Sequence, residues 1–182
     1  MARLPKVEAF VVFISSAQQE FEKERKDLQR NINNEGWWSG LNLMEARLIE
    51  DQRGPVIQED IRRGLDAASI YVGLFGKELR DWPVAEFRYA KARDLPQLIY
   101  RFERRSRPGR PPARRAGGPM SRVERFLKDE ASGIRIRGLS QPYSNFDVLL
   151  EIVLIDLAIQ VAEMVRENAD IRKRFHTGMP GM

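Results

Sequence analysis

Two adjacent serines, Ser15 and Ser16, stand where an apolar segment meets a densely charged one. Serine is a preferred helix cap, and Ser16 with Gln19 three residues later has the pattern of a capping box. That cap does not need Ser15, which would lie beside unpaired backbone N–H groups at the start of a helix, where anions bind. The pair therefore indicates either a simple helix cap or a cap beside a ligand site.

The composition excludes several other kinds of chemistry. The chain of 182 residues has no cysteine and a single histidine, His176. Thiolate zinc sites, disulfides and cysteine nucleophiles are therefore excluded, and neither a His-based triad nor a multi-His metal site is expected. We accordingly assign no metal ligands.

No segment of the sequence has the pattern of a targeting or membrane signal. The first residues lack the long apolar region of a signal peptide. No window approaches the roughly 18 consecutive apolar residues that a membrane span requires. We therefore expect a soluble, cytoplasmic protein that has no membrane partner.

Strand-like and helix-like patterns alternate along the chain. Apolar runs of strand length predict five strands, at residues 7–14, 41–49, 69–76, 96–102 and 133–138. Helical patterns separate them, and a long final helix is predicted over 146–167. This order predicts one α/β domain over 1–170, with a flavodoxin-like open parallel sheet, strand order 2-1-3-4-5, and helices on both faces. Residues 171–182 would form a C-terminal tail.

Such a sheet predicts where a ligand binds. Ligands lie beyond the carboxyl ends of the strands, at the point where the strand order reverses. With the order 2-1-3-4-5, this crevice lies between strands one and three. Strand one ends at Ser15 and Ser16, and strand three ends at Phe75 and Gly76. We predict that these four residues bind a ligand.

Residues 103–122 carry the basic charge of the chain. The formal net charge is +5, and this Pro/Gly/Arg-rich segment holds seven arginines and one glutamate. Its composition cannot form a core and predicts a mobile or disordered insert. A solvated surface loop is the simpler interpretation, because no aromatic residue is present to stack on bases. Contact with nucleic acid or another acidic partner is the alternative.

Several motifs resemble those of a known family. The segment VFISSAQQEFEKERKDL resembles the opening of a TIR-like domain family of unknown function, often found at the head of NACHT- or repeat-containing signalling proteins. The resemblance continues through LNLMEARL, VIQEDIRRGLDAASIYVGLFG, VAEFRYAKARDLPQLIYRF and NFDVLLEIVLIDLA. It covers most of the chain except the Arg-rich insert. More widely, the chain is similar to TIR domains and nucleoside deoxyribosyltransferases, whose fold is flavodoxin-like.

The resemblance implies a catalytic role for Glu86. TIR enzymes that cleave NAD carry a tryptophan four residues before the catalytic glutamate, as Trp82 stands before Glu86. Deoxyribosyltransferases place a nucleophilic glutamate in a helix opening similar to AEFRYA. A carboxylate can stabilise or trap the oxocarbenium-like ribose that forms when an N-glycosidic bond breaks. An aromatic neighbour can stack on the base, and Glu45 is the candidate for binding ribose hydroxyls.

Each of these residues also has a simpler interpretation. A glutamate in the first turn of a helix gains roughly 0.3–1 kcal/mol from the helix dipole, and Trp82 could merely cover the sheet edge.

Three functions stay open: an N-glycosidic bond hydrolase or transferase, a non-catalytic TIR-like signalling module, and a nucleic-acid binder that uses the insert. No cofactor is expected, and NAD or another nucleotide would be a substrate or ligand.

The final helix is apolar on nearly all sides. A helix packed on one face of a sheet needs only an apolar stripe. The excess apolar surface predicts a homodimer through residues 146–167, with Leu150, Leu154 and Leu157 as candidates for the outer face. The alternative is that the tail covers this surface. Ser144 with Asp147 is the expected cap of the helix.

Overall fold

A computed structural model describes residues 9–35, 44–48, 56–103, 120–139 and 141–177. Most of the Arg-rich insert, residues 104–119, lies outside the described residues, so its mobility stays a prediction. The first seven residues of the predicted tail over 171–182 belong to the final helix, and the remainder of that tail also lies outside the described part of the chain.

The described part of the chain forms a sheet of five parallel strands. They are β1 Phe10–Ser16, β2 Met44–Arg47, β3 Ile70–Phe75, β4 Gln97–Arg101 and β5 Ile136–Arg137. The order in the sheet is β2-β1-β3-β4-β5, and each neighbouring pair is parallel. This confirms the predicted flavodoxin-like fold and strand order.

Helices follow the strands in strict alternation. They are α1 Gln18–Arg30 with a π-helical turn at Asn31–Glu35, α2 Val56–Asp66, α3 Asp81–Ala92, α4 Arg122–Glu130 and α5 Phe146–Thr177. The final helix continues ten residues beyond the predicted end. Among the described residues, none of these helices has the length and apolarity needed to cross a bilayer.

The caps of two helices differ from the prediction. The residue that caps α1 is Ala17, which makes no side-chain capping bond, so the predicted capping box of Ser16 is wrong. The reason is that β1 continues through Ser16, which pairs with Leu74 of β3. At the start of α5, Asn145 rather than Ser144 accepts a hydrogen bond from the backbone N–H of Asp147, at 2.9 Å.

Apolar side chains fill both faces of the sheet. On one face, Val12 and Ile14 of β1 pack with residues of α1 and α5. On the other face, Phe13 of β1 packs with residues of α2, α3 and α4. The central strands are therefore buried on both faces, as their continuous apolar runs predict.

The outer face of α5 differs from the predicted one. Leu157 is fully buried, and Leu150 and Leu154 pack against the sheet, so these three residues do not form the outer face. Among the described side chains of α5, the large apolar ones that are exposed are Val148, Ile155, Ile159 and Val165. The first three follow one another at spacings of seven and four residues. These spacings place them in one stripe along the helix.

A buried ion pair attaches α5 to the sheet. Asp156 is 6% exposed, and its two oxygens accept hydrogen bonds from the guanidinium of Arg137 at 2.6 and 3.1 Å. One of them also accepts from the phenol of Tyr100 at 2.9 Å. Burial, followed by the charge of Asp156, raises the pKa of Tyr100 far above its ordinary value, so the phenol stays protonated and donates.

The role of this ion pair can be tested with Asp156→Asn. The amide cannot accept all three bonds and carries no charge to balance Arg137. We expect the free energy of unfolding to fall by about 1.5–3 kcal/mol in urea denaturation. Glu151→Gln, at an exposed position of the same helix, is the matched control and should change it by less than about 0.5 kcal/mol. Equal effects of the two substitutions would contradict the assignment.

Candidate functional site

The two serines at the end of β1 face opposite sides of the sheet. Side chains alternate along a strand, so Ser15 shares the side of Phe13 and α3, whereas Ser16 shares the side of Ile14 and α1. Both are paired with β3, Ser15 with Gly73 and Ser16 with Leu74. The predicted crevice at the strand reversal therefore has one serine on each side.

Ser15 contacts Glu86. The side chain of Ser15 is 2% exposed, and its hydroxyl donates a short hydrogen bond to Oε2 of Glu86, which is half-buried in the second turn of α3. The two residues are 71 positions apart in the sequence. A buried donor that holds one carboxylate oxygen fixes the orientation of the whole carboxylate. The structure thus brings together two of the predicted site residues.

Tyr71 lies beneath this pair and was not among the predicted site residues. Its ring is fully buried, and its phenol donates to the carbonyl of Pro83 at 3.5 Å. Burial raises its pKa well above the ordinary value, the negative charge of Glu86 raises it further, and a hydrogen bond with Ser15 offsets part of this. The phenol therefore stays protonated and acts as a hydrogen-bond donor.

Gly73 makes room for the Tyr71 ring. A side chain at this position would meet the rings of Tyr71 and Phe75 and the end of Ile99, each at 3.0 Å. A glycine inside a buried strand often marks a close approach of other groups. This glycine is the sequence signal that could have pointed to Tyr71.

Trp82 lies at the second position of α3, four residues before Glu86. Side chains at this spacing project from the same face of a helix. The indole is 47% exposed. It is thus an accessible aromatic surface on the same helix face as the carboxylate.

Glu20, on the α1 side of the crevice, was also missed by sequence reasoning. Its Oε1 accepts a hydrogen bond from the backbone N–H of Lys77 at 3.0 Å, and its carboxylate lies so close to Gly76 that any side chain there would overlap it. Glu20 belongs to the first turn of α1, and Lys77 to the connection after β3. The contact therefore joins the two segments that border the crevice. The glycine at the end of β3 is its only signal in the sequence.

Two other predicted residues, Glu45 and Phe75, take different places. Glu45 lies on β2, where it pairs with Val11 and forms a salt bridge with Arg47 that lowers the pKa of its carboxyl. Val11 precedes Ser15 by four residues, or about 13 Å of strand, so Glu45 is not part of the crevice. Phe75 is buried against Phe87 and Phe126, with ring centroids 6.3 and 5.8 Å away, and supports α3 instead of facing a ligand.

The hydroxyl of Ser16 is buried and has no hydrogen-bond partner among the described residues. The hydroxyl of its neighbour Ser15, by contrast, donates a hydrogen bond to Glu86.

Two cavities, of about 510 and 620 Å³, lie away from both serines. The first is lined by residues such as Gln97 and Asp156, and the second by residues such as Gly138 and Tyr143.

Comparisons with known proteins add no assignment. The sequence matches no protein-family model, and no curated protein shows significant similarity to it. The function is therefore argued from the geometry of the crevice together with the motifs of the sequence.

The two serines provide a matched test of this geometry. Ser15→Ala removes the donor to Glu86, and we expect it to lower the free energy of unfolding by about 1.5–3 kcal/mol, the range for a hydrogen bond to a charged group. Ser16→Ala removes a buried hydroxyl that has no hydrogen-bond partner in the described part of the chain, and should be neutral or slightly stabilising. Urea denaturation measures both. A larger loss for Ser16→Ala than for Ser15→Ala would contradict the arrangement.

Proposed function

We propose that the protein is a TIR-like domain that binds a nucleotide-type ligand in the crevice between β1 and β3 and cleaves its N-glycosidic bond. The observation that carries this proposal is the hydrogen bond from buried Ser15 to Glu86 at the carboxyl ends of the strands. A carboxylate held by a buried donor at the strand reversal is placed where ligands bind in this class of sheet. The resemblance to TIR domains and deoxyribosyltransferases supports the same residue.

In the proposed reaction the bond between ribose C1′ and the base nitrogen breaks, and its electron pair leaves with the base. Glu86 stabilises the positive charge that develops on the ribose, or forms a bond to C1′. Water, or the base of a second nucleoside, then forms the new bond to C1′, and where Glu86 is bonded to C1′ that bond breaks and returns the carboxylate. The proton lost by the incoming group goes to the departed base anion or, when neutral nicotinamide has left, to the solvent. Ser15 acts as a positioning residue, since its hydrogen bond fixes the orientation of the carboxylate. Trp82 stacks on the base.

The proposal is tested by incubating the protein with NAD and with several nucleosides, and following the released base by chromatography. We expect release by the wild-type protein. Glu86→Gln keeps the shape of the side chain but removes the negative charge that stabilises the oxocarbenium ion. It should lower the rate by about a thousandfold or more while leaving the fold intact.

Glu45→Gln is the matched control for this experiment. Its carboxylate is paired with Arg47 on the exposed edge strand, so its loss should leave the rate within about threefold of the wild type. Retained turnover in Glu86→Gln would move the catalytic group elsewhere. Absence of base release from every substrate would refute the catalytic proposal.

A non-catalytic interaction module is the second candidate function, and one observation favours it. The exposed stripe of Val148, Ile155 and Ile159 gives α5 an apolar outer face. A closed two-fold dimer buries such a stripe against its own copy. We therefore propose that α5 forms a homodimer, through other side chains than the sequence pattern predicted.

This dimer is tested with Ile155→Glu. Ile155 is 59% exposed and central in the stripe, so a charge there would be buried in the interface. We expect the wild type to be a dimer and the variant a monomer in size-exclusion chromatography with light scattering. Val165 is exposed but lies about 80° from Ile155 around the helix axis. Val165→Glu is therefore the control, and this variant should remain a dimer. A monomeric wild type at micromolar concentrations would contradict this proposal.

Nucleic-acid binding through the Arg-rich insert stays a prediction, because residues 104–119 lie outside the described part of the chain.

A further inference from the structure

The contact between Glu20 and Lys77 crosses the crevice on the side opposite Glu86. Its acceptor is a carboxylate from the first turn of α1, and its donor is the second backbone N–H after β3. Gly76 lies directly against this carboxylate, and a side chain at that position would overlap it in its present position. The Oε2 of Glu20 accepts no hydrogen bond from the described residues.

This is the place where doubly wound folds often bind the anionic part of a ligand. In such folds a glycine-containing turn after a strand lets a phosphate approach the backbone N–H groups. The turn after β3 has this glycine, Gly76, followed by the N–H of Lys77. Here the protein's own carboxylate takes both the space over the glycine and the N–H of Lys77. A ligand phosphate would have to displace Glu20 to reach them.

The charges that border the crevice also disfavour binding of a phosphate. Glu86 borders the crevice on the α3 side and Glu20 on the α1 side, so a phosphate between them would face two carboxylates. Like charges brought together in a partly buried site discriminate strongly against a ligand. The exposed ammonium of Lys77 could offset part of this repulsion. A hydroxyl group, in contrast, can donate to a carboxylate and carries no charge.

We propose that Glu20 makes the crevice selective for uncharged nucleosides and against their 5′-phosphates and dinucleotides. Glu20 then accepts a hydrogen bond from a sugar hydroxyl through Oε2, the role that the sequence had suggested for Glu45. This inference rests on the proposed function and narrows the nucleotide-type ligand proposed there to uncharged nucleosides, so NAD would be a poor substrate of the same crevice.

The test is a measurement of binding, so that it does not depend on turnover. Isothermal titration calorimetry compares adenosine and thymidine with their 5′-monophosphates on the wild-type protein, Glu20→Gln and Glu22→Gln. Glutamine can still accept from Lys77 but carries no charge. Glu22 is exposed, lies on the same helix and pairs with Lys26, so it is the matched control. Thermal unfolding of each variant verifies that it is folded.

We expect the wild type and Glu22→Gln to bind at least one nucleoside at least about tenfold more tightly than its monophosphate, and Glu20→Gln to reduce this ratio to less than about threefold. Equal affinities in the wild type, an unchanged ratio in Glu20→Gln, or failure to bind either nucleoside would overturn the inference. Nucleoside selectivity without any release of base would refute the catalytic proposal alone. Release of base without selectivity would refute the role of Glu20 alone.

Discussion

A polar side chain in a strand that is buried on both faces costs free energy unless it finds a hydrogen-bond partner inside the protein, and this cost shapes the α3 side of the site. β1 and β3 are the central strands, covered by helices on each side. Ser15 avoids this cost, because α3 brings Glu86 within reach of its hydroxyl. An unpaired buried hydroxyl is costly, so the same contact that orients the carboxylate also fixes the position of α3 over the sheet.

The aromatic cluster beneath α3 supports this arrangement from below. Phe87 lies between Tyr71, Phe75 and Phe126, with ring centroids 5.4–6.4 Å away. Because Phe87 directly follows Glu86 on the helix, the apolar packing and the polar contact position the same turn. A helical turn held by close-packed rings has little freedom to move, and restricted motion of this kind favours a preorganised site.

The order of the strands could be predicted from the sequence because apolar runs of strand length alternate with helical patterns. The contacts within the site could not. Ser15 and Glu86 are far apart in the chain, and only the register of β1 with β3 decides which serine faces α3. The expected cap at Ser16 failed because strand pairing extended through it. Glu20 was missed because an acidic residue in a first helical turn already has a sufficient local explanation in the helix dipole.

The orientation of α5 has a consequence for how far the end of this helix lies from the crevice. The helix begins near the carboxyl edge of the sheet, where the ring of Phe146 packs against Phe102, and it passes Gln97 at the amino edge beside Gln160. Its 32 residues span about 48 Å, roughly twice the length of the longest strand. Its distal half therefore points away from the crevice. A partner bound to that distal half would leave the crevice unobstructed, whereas the exposed stripe of Val148, Ile155 and Ile159 lies in the half of α5 that runs alongside the sheet.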